Sequence, residues 1–190
     1  DRIDMKVFEL AMEFLSNVLR AKKDSDLIVS CNVSVRHLMK NSFIDEIKNA
    51  LVKYQVPASH VEIEITESIM IDSLEKALDR IDEIKEMGMK VAIDDFGTGY
   101  SSLSYLNNFP SDLLKIDKSF IDLMNTSESS KQYVATIVSI GHILNLSVIS
   151  EGVEDEAQIE TLKEIGCDYI QGFVWGCPMA ADDALEIVFQ

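Results

Sequence analysis

The chain has 190 residues, of which 47% are hydrophobic, and 33 acidic residues against 17 basic ones give a formal net charge of −16. Length and composition fit one folded domain over residues 1–190 and exclude a disordered chain. The negative field disfavours nucleic-acid polymers, and no apolar run approaches the roughly 20 residues needed to span a membrane, so this segment is expected to contact neither. An anionic substrate would need a local reversal of sign, and a divalent cation is the usual device.

Strand-type runs alternate with helical spacing along the chain. Leu27 to Val33 reads as the first strand and carries Asn32 near its end. Ile44, Ile47 and Leu51 then recur at helix spacing. Val61 to Thr66 is the second strand, with Glu64 inside it and Glu67 just past it. Leu74, Leu78, Ile81 and Ile84 mark the next helix. Lys90 to Asp94 is the third strand, followed by Asp95 and a glycine-rich loop, Phe96 to Ser102. Leu113 to Asp117 is the fourth and contains Lys115. Val134, Ile137, Val138 and Ile140 give another helix. Leu146 to Ser150 is the fifth strand, leading into Glu151 and Glu154, and Asp168 to Gln171 is the sixth.

Strands alternating with helices indicate βα units and a parallel sheet, and strands apolar nearly throughout indicate burial on both faces. Polar residues collect at the strand ends. A (β/α)8 barrel gathers strand C-termini into a ring, whereas a doubly wound sheet places ligands at one switch point. Six successive strand ends carrying ligand-type or catalytic-type side chains favour the barrel.

The ligand atoms on offer at those ends are all oxygens, which suits Mg²⁺ or Mn²⁺ better than zinc. More carboxylates than one ion needs suggests two ions, an arrangement that stabilises in-line phosphoryl displacement. Lys115 could counter charge on a phosphate, and Glu151 or Glu154 could act as a base or further ligand. Structural readings stand beside these. Asn32 could cap a helix, Lys115 could be a solvated charge, and Glu64 and Glu67 could be ordinary edge carboxylates. Glu154 could favour the first turn of the following helix, and Asp94-Asp95 could be a solvated capping turn. His37, His60 and His142 appear singly, and Met5, Met12 and Met39 read as core filler. Cys31, Cys167 and Cys177 form no CxxC pair and read as buried thiols of a reducing compartment. The absence of an initiator Met before Asp1-Arg2 suggests a segment of something longer.

Six motifs run in a fixed order: Asn32-Val33-Ser34-Val35-Arg36; Glu62-Ile63-Glu64-Ile65-Thr66-Glu67-Ser68; Ile93-Asp94-Asp95-Phe96-Gly97-Thr98-Gly99-Tyr100-Ser101-Ser102-Leu103; Leu114-Lys115-Ile116-Asp117-Lys118-Ser119-Phe120; Glu151-Gly152-Val153-Glu154; and Gly166-Cys167-Asp168-Tyr169-Ile170-Gln171-Gly172-Phe173. Together they resemble the EAL domain family, bacterial phosphodiesterases that hydrolyse cyclic di-GMP. The resemblance implies a (β/α)8 TIM-like barrel with one antiparallel strand, two Mg²⁺ or Mn²⁺ ions, and cleavage of cyclic di-GMP to linear pGpG. It implies that Asn32, Glu64, Asp94 and Asp95 are metal ligands, with Asp94 bridging the ions. Lys115 then orients water and counters charge, and Glu151 is a general base or metal ligand. Gln171 lies near metal-bound water. Glu67 anchors the loop Phe96 to Ser102, which links metal binding to dimerisation.

The resemblance also carries expectations about what lies outside the chain. The pattern at Ile3 to Ala11 matches the first long helix after the Glu-Ala-Leu motif, so that motif and the first two strands are expected upstream of Asp1. Ser150 stands where Ala is usual, and Cys177 where Arg is usual before Pro178. The implied setting is the bacterial cytoplasm, with a homodimer and linked sensory or GGDEF domains. The alternative is a non-catalytic EAL module that binds cyclic di-GMP or a protein partner, which an isolated piece lacking the Glu-Ala-Leu motif would favour.

Overall fold

Val61–Thr66 is buried along nearly its whole length, and its Val/Ile/Glu alternation can persist only because both faces of the strand are covered. The structure, a computed structural model, describes residues 2–68, 74–99 and 106–189. The chain divides into two compact units. The first comprises Asp1–Ile65, Ser73–Val91 and Pro178–Gln190, and the second Thr66–Asp72 and Ala92–Cys177.

In the first unit, α1 (Arg2–Ala21) buries Phe8, Met12, Leu15 and Val18, spaced three and four apart on one helical face. That face lies against α3 (Phe43–Tyr54) and β1 (Val29–Asn32). Strand β1 pairs in parallel with β2 (Val61–Thr66), with Val29 opposite Val61 and Asn32 opposite Glu64. Between them, α2 (Val35–Leu38) starts at Ser34, whose hydroxyl accepts from the His37 N–H and donates to Asp4 Oδ2 at 2.5 Å. Helix α3 ends at Gln55 in the left-handed region, φ 58°. Helix α4 (Leu74–Glu86) buries Ala77, Ile81 and Ile84. Helix α8 (Ala181–Val188) returns to α1.

In the second unit, β3 (Lys90–Phe96, from Ala92 onward), β4 (Leu113–Ile116), β5 (Ser147–Ser150) and β6 (Tyr169–Ile170) pair in parallel in chain order. Parallel pairing demands crossovers, and α5 (Lys118–Met124), α6 (Glu128–Ile143) and α7 (Glu156–Glu164) are among the crossover helices. Helix α6 covers β4 and β5 with Val134, Ile137 and Val138.

The α/β class and the parallel pairing are as expected. The strands differ at their ends: β3 runs two residues past Asp94, through Asp95 and Phe96, and β6 is reduced to Tyr169–Ile170. Asn32 does not cap α2; Ser34 does. Met12 is buried, whereas Met5 and Met39 are only half-buried. Of the three thiols Cys31 is buried, Cys167 half-buried and Cys177 exposed, so the expectation of buried thiols fails at Cys177.

Candidate metal centre

The β3–β4 ladder breaks register at the paired aspartates. Ile93 lies opposite Leu114 and Phe96 opposite Ile116, so Asp94 and Asp95 together face the single residue Lys115. The extra residue makes a bulge, and Asp95 takes a left-handed backbone at φ 55°. A bulge re-aims side chains. Here carboxylate oxygens of Asp94, Asp95 and Glu151 lie within 4.8 Å of one another. Lys115, only 2% exposed, stands among them, with Nζ 2.6 Å from Glu151 Oε1 and 3.4 Å from Asp94 Oδ1. One ammonium cannot neutralise three carboxylates. Burial first, then the charges of Asp94 and Asp117, pushes the Asp95 carboxyl above its ordinary range, and Lys115 only partly opposes the shift. The cluster carries excess negative charge and only oxygen donors, which suits a hard divalent cation.

Asp117 was not among the candidates read from sequence, yet its charge reaches Asp95. Its side chain caps α5 by accepting from the Ser119 N–H, and a capping role would explain an aspartate there without invoking a site. Its place two residues after Lys115, at the end of a strand run, was the available signal.

Glu67 is 4% exposed and fixes the loop that leaves the bulge. Its N–H donates to the Asp94 carbonyl at 3.0 Å, and its Oε2 accepts from the N–H groups of Gly97 and Gly99, both at 3.0 Å. Gly97 sits at φ 98°, a conformation that side-chain-bearing residues rarely adopt. The reading of Glu67 as an ordinary edge carboxylate does not survive this geometry. The stretch 100–102 of the predicted loop lies outside the described residues.

Around Glu151 the backbone is pinned from both sides. Its N–H donates to the Ile116 carbonyl at 3.1 Å. Gln171 holds the next turn through its backbone, accepting from the Val153 N–H at 3.1 Å and donating to the Ser150 carbonyl at 2.8 Å. The Gln171 residue itself is exposed. Glu154 pairs with Lys118 at 3.2 Å, while Asp155 caps the following helix.

In the first unit, Asn32 at the end of β1 is the register partner of Glu64 within β2, and the Glu64 carbonyl accepts from the Val33 N–H at 3.0 Å. Asn32 is exposed and Glu64 is 5% exposed. Burial, aided by the Glu64 charge, pushes the Cys31 thiol up to about 12, so it stays protonated. The histidines all have structural partners: His37 meets Glu46 at 3.0 Å, His60 the Leu27 carbonyl at 2.7 Å, and His142 Asp168 at 2.9 Å.

Residues 1–178 match the EAL domain. The signaling protein YkoW of Bacillus subtilis is 44% identical over 168 residues, which is 88% of this chain and 21% of YkoW. MucR of Pseudomonas aeruginosa, a bifunctional diguanylate cyclase/cyclic di-GMP phosphodiesterase, is 38% identical over 164 residues, 86% of this chain and 24% of MucR. The chain therefore spans about a quarter or less of these curated relatives. The solved PaMucR phosphodiesterase in complex with c-di-GMP aligns with a TM-score of 0.91 at 36% identity, covering 96% of this chain and 74% of that one. The EAL domain of Mycobacterium smegmatis DcpA aligns with a TM-score of 0.90 at 30% identity, over 96% of this chain and 82% of that one. These are barrel-type α/β structures, and the parallel βα units seen here are of that class. Likeness in sequence and in fold over nearly the whole length leaves one conclusion: the chain belongs to the EAL domain family.

Proposed function

We propose that the protein hydrolyses cyclic di-GMP to linear pGpG with two Mg²⁺ or Mn²⁺ ions, and that residues 1–190 belong to its phosphodiesterase domain. The observation that carries this reading is the bulge that sets Asp94 and Asp95 against Glu151 with Lys115 buried among them. Its context is the family membership and the similarity to MucR, a cyclic di-GMP phosphodiesterase.

Asp94, Asp95 and Glu151, with Asn32 and Glu64, are the residues that would hold the cations. When bound, such ions polarise the phosphoryl oxygens and lower the pKa of water. Lys115 supplies a fixed positive charge beside the cluster and counters negative charge developing on the phosphate. Its pairing with Glu151 orients that carboxylate, and a Glu151 oxygen is the proposed acceptor for a proton from attacking water. Glu67 holds the loop after the bulge, and Gln171 borders the water side of the site. The loop Phe96 to Ser102 is proposed to couple the site to a homodimer contact. The proposed setting is the bacterial cytoplasm, with sensory or GGDEF domains in the same polypeptide.

The test is turnover of cyclic di-GMP by the full-length protein with Mg²⁺ or Mn²⁺, followed by chromatography. The expected product is pGpG, formed only with the metal present. Folded, metal-supplied protein that yields no pGpG would overturn the reading.

A further inference from the structure

Strand β4 delivers Lys115 to the carboxylates, and after Asp117 the chain turns at once into α5. Two side chains of that short helix reach the two carboxylate-bearing turns of the same unit. The Lys118 stem lies across Gly152, the residue after Glu151. A Cβ placed on Gly152 would stand 2.3 Å from Lys118 Cγ and 2.6 Å from its Cδ. The Lys118 ammonium continues to Glu154 at 3.2 Å and to Asp122. Phe120 packs against Gly97, two residues beyond Asp95. A Cβ on Gly97 would stand 2.8 Å from Phe120 Cε2 and 3.1 Å from its Cζ. Behind Phe120 stacks Tyr133 of α6, with centroids 5.1 Å apart and planes at 29°.

Both glycines have positive φ, 67° at Gly152 and 98° at Gly97. Each turn is thus defined by a left-handed kink and by the side chain that fills the space beside it. Gly152 shares a peptide plane with Glu151, so a shift at Gly152 moves the Glu151 carbonyl directly, and a shift at Gly97 reaches Asp95 through Phe96 at the end of the same strand. Metal ligation tolerates only about 0.2 Å of error in ligand distance. The ion pairs of Lys118 are exposed and are worth little by themselves, so its packed stem matters more than its charge.

We infer that α5 is a common strut for the metal centre. Lys118 and Phe120 are positioning residues: one helix holds the Glu151 turn and the Asp94–Asp95 bulge at a fixed spacing around Lys115. The inference rests on the two-metal reading above. It predicts coupling, because displacing the helix from one turn loosens it against the other, so the two truncations are not additive.

The experiment uses the full-length protein and two readouts: Mn²⁺ affinity by electron paramagnetic resonance, and amide exchange of the Gly97–Gly99 and Glu151–Glu154 segments without metal. Lys118→Ala and Phe120→Ala should each weaken Mn²⁺ binding by roughly tenfold or more. Each should also speed exchange in the turn it does not touch. Lys118→Met, which keeps the stem, and Phe120→Met, which keeps the bulk, should restore affinity to within about twofold and fold even if the alanine variants do not. The double alanine variant should lose less than the two single losses combined. Unchanged affinity and exchange in folded alanine variants overturn the strut. So does Lys118→Met behaving like Lys118→Ala, since that places the effect on the charge. If wild type binds no Mn²⁺, the two-metal reading fails, and exchange in the metal-free protein still decides whether α5 braces both turns.

Discussion

Asp94 makes the sharpest prediction. Its carboxylate sits in the bulge beside Asp95 and Glu151, and its Oδ1 lies 3.4 Å from Lys115 Nζ. Asp94→Asn keeps the shape and removes the charge. It should lower paired Mn²⁺ binding and turnover by on the order of a hundredfold, measured by resonance titration and product assay; full activity in this variant would remove Asp94 from the site. Asp168 offers a pH-dependent case away from the centre. Burial raises its carboxyl, but the Val148 N–H and His142 outweigh burial and hold it below its ordinary value of 3.8. A depressed carboxylate stabilises the fold above its unfolded pKa, and that contribution is lost as pH falls through the folded value. Melting curves of wild type and Asp168→Asn should therefore be separated near neutrality and converge in acid; a constant separation would show that the charge is not responsible. Lys115 shows what tertiary structure adds to a residue already singled out. A lysine in Leu-Lys-Ile-Asp is most often solvated; the motifs give this one a role, and its burial with two carboxylates supplies the physical ground for it.

Among the elements, α7 is the clearest case of local chemistry setting a boundary. Asp155 accepts from the Gln158 N–H while the Gln158 side chain accepts from the Asp155 N–H, a reciprocal capping box. Asp155→Ala should cost about 1 kcal/mol in denaturant unfolding, and no loss would mean that water replaces the cap. The box also ties the Glu154 N–H to Gln158 Oε1 at 2.8 Å, so the same variant should loosen the turn that follows Glu151. The succession of strands and helices and the helix faces were legible in sequence because periodicity is local; of this helix start only the acidic first turn was read, and the capping box was not. Nor was the β3–β4 bulge. A register shift is decided by the partner strand, and Ile93-Asp94-Asp95-Phe96 reads the same with or without it. Asp117 was hidden for a related reason, because its capping role accounts for an aspartate at that position.

For the protein as a whole, a net charge of −16 means that folding gathers many carboxylates against mutual repulsion. Cation binding should then stabilise the fold through the site as well as through screening. Mg²⁺ at one hundred times its dissociation constant should stabilise by about 2.7 kcal/mol, raise the melting temperature and be reversed by a chelator. Potassium chloride at equal ionic strength should do less, because it only screens. Equal effects of the two salts would argue against a specific cation site. Among the described residues no helix is long and apolar enough to cross a membrane.

The α/β class, the order of strands and helices, the oxygen-only donor chemistry and the family were readable from the chain alone, because these follow from local periodicity and from motifs in fixed order. The fold set Asp94 and Asp95 in a bulge opposite Lys115, buried Lys115 rather than leaving it solvated, and gave the loop-anchoring role that the motifs imply for Glu67 its partners, the N–H groups of Gly97 and Gly99. It also decided that Lys118 and Phe120 of one helix press on both carboxylate turns. Each of these depends on residues about 20 to 36 positions apart meeting in space, and no local pattern encodes such a meeting.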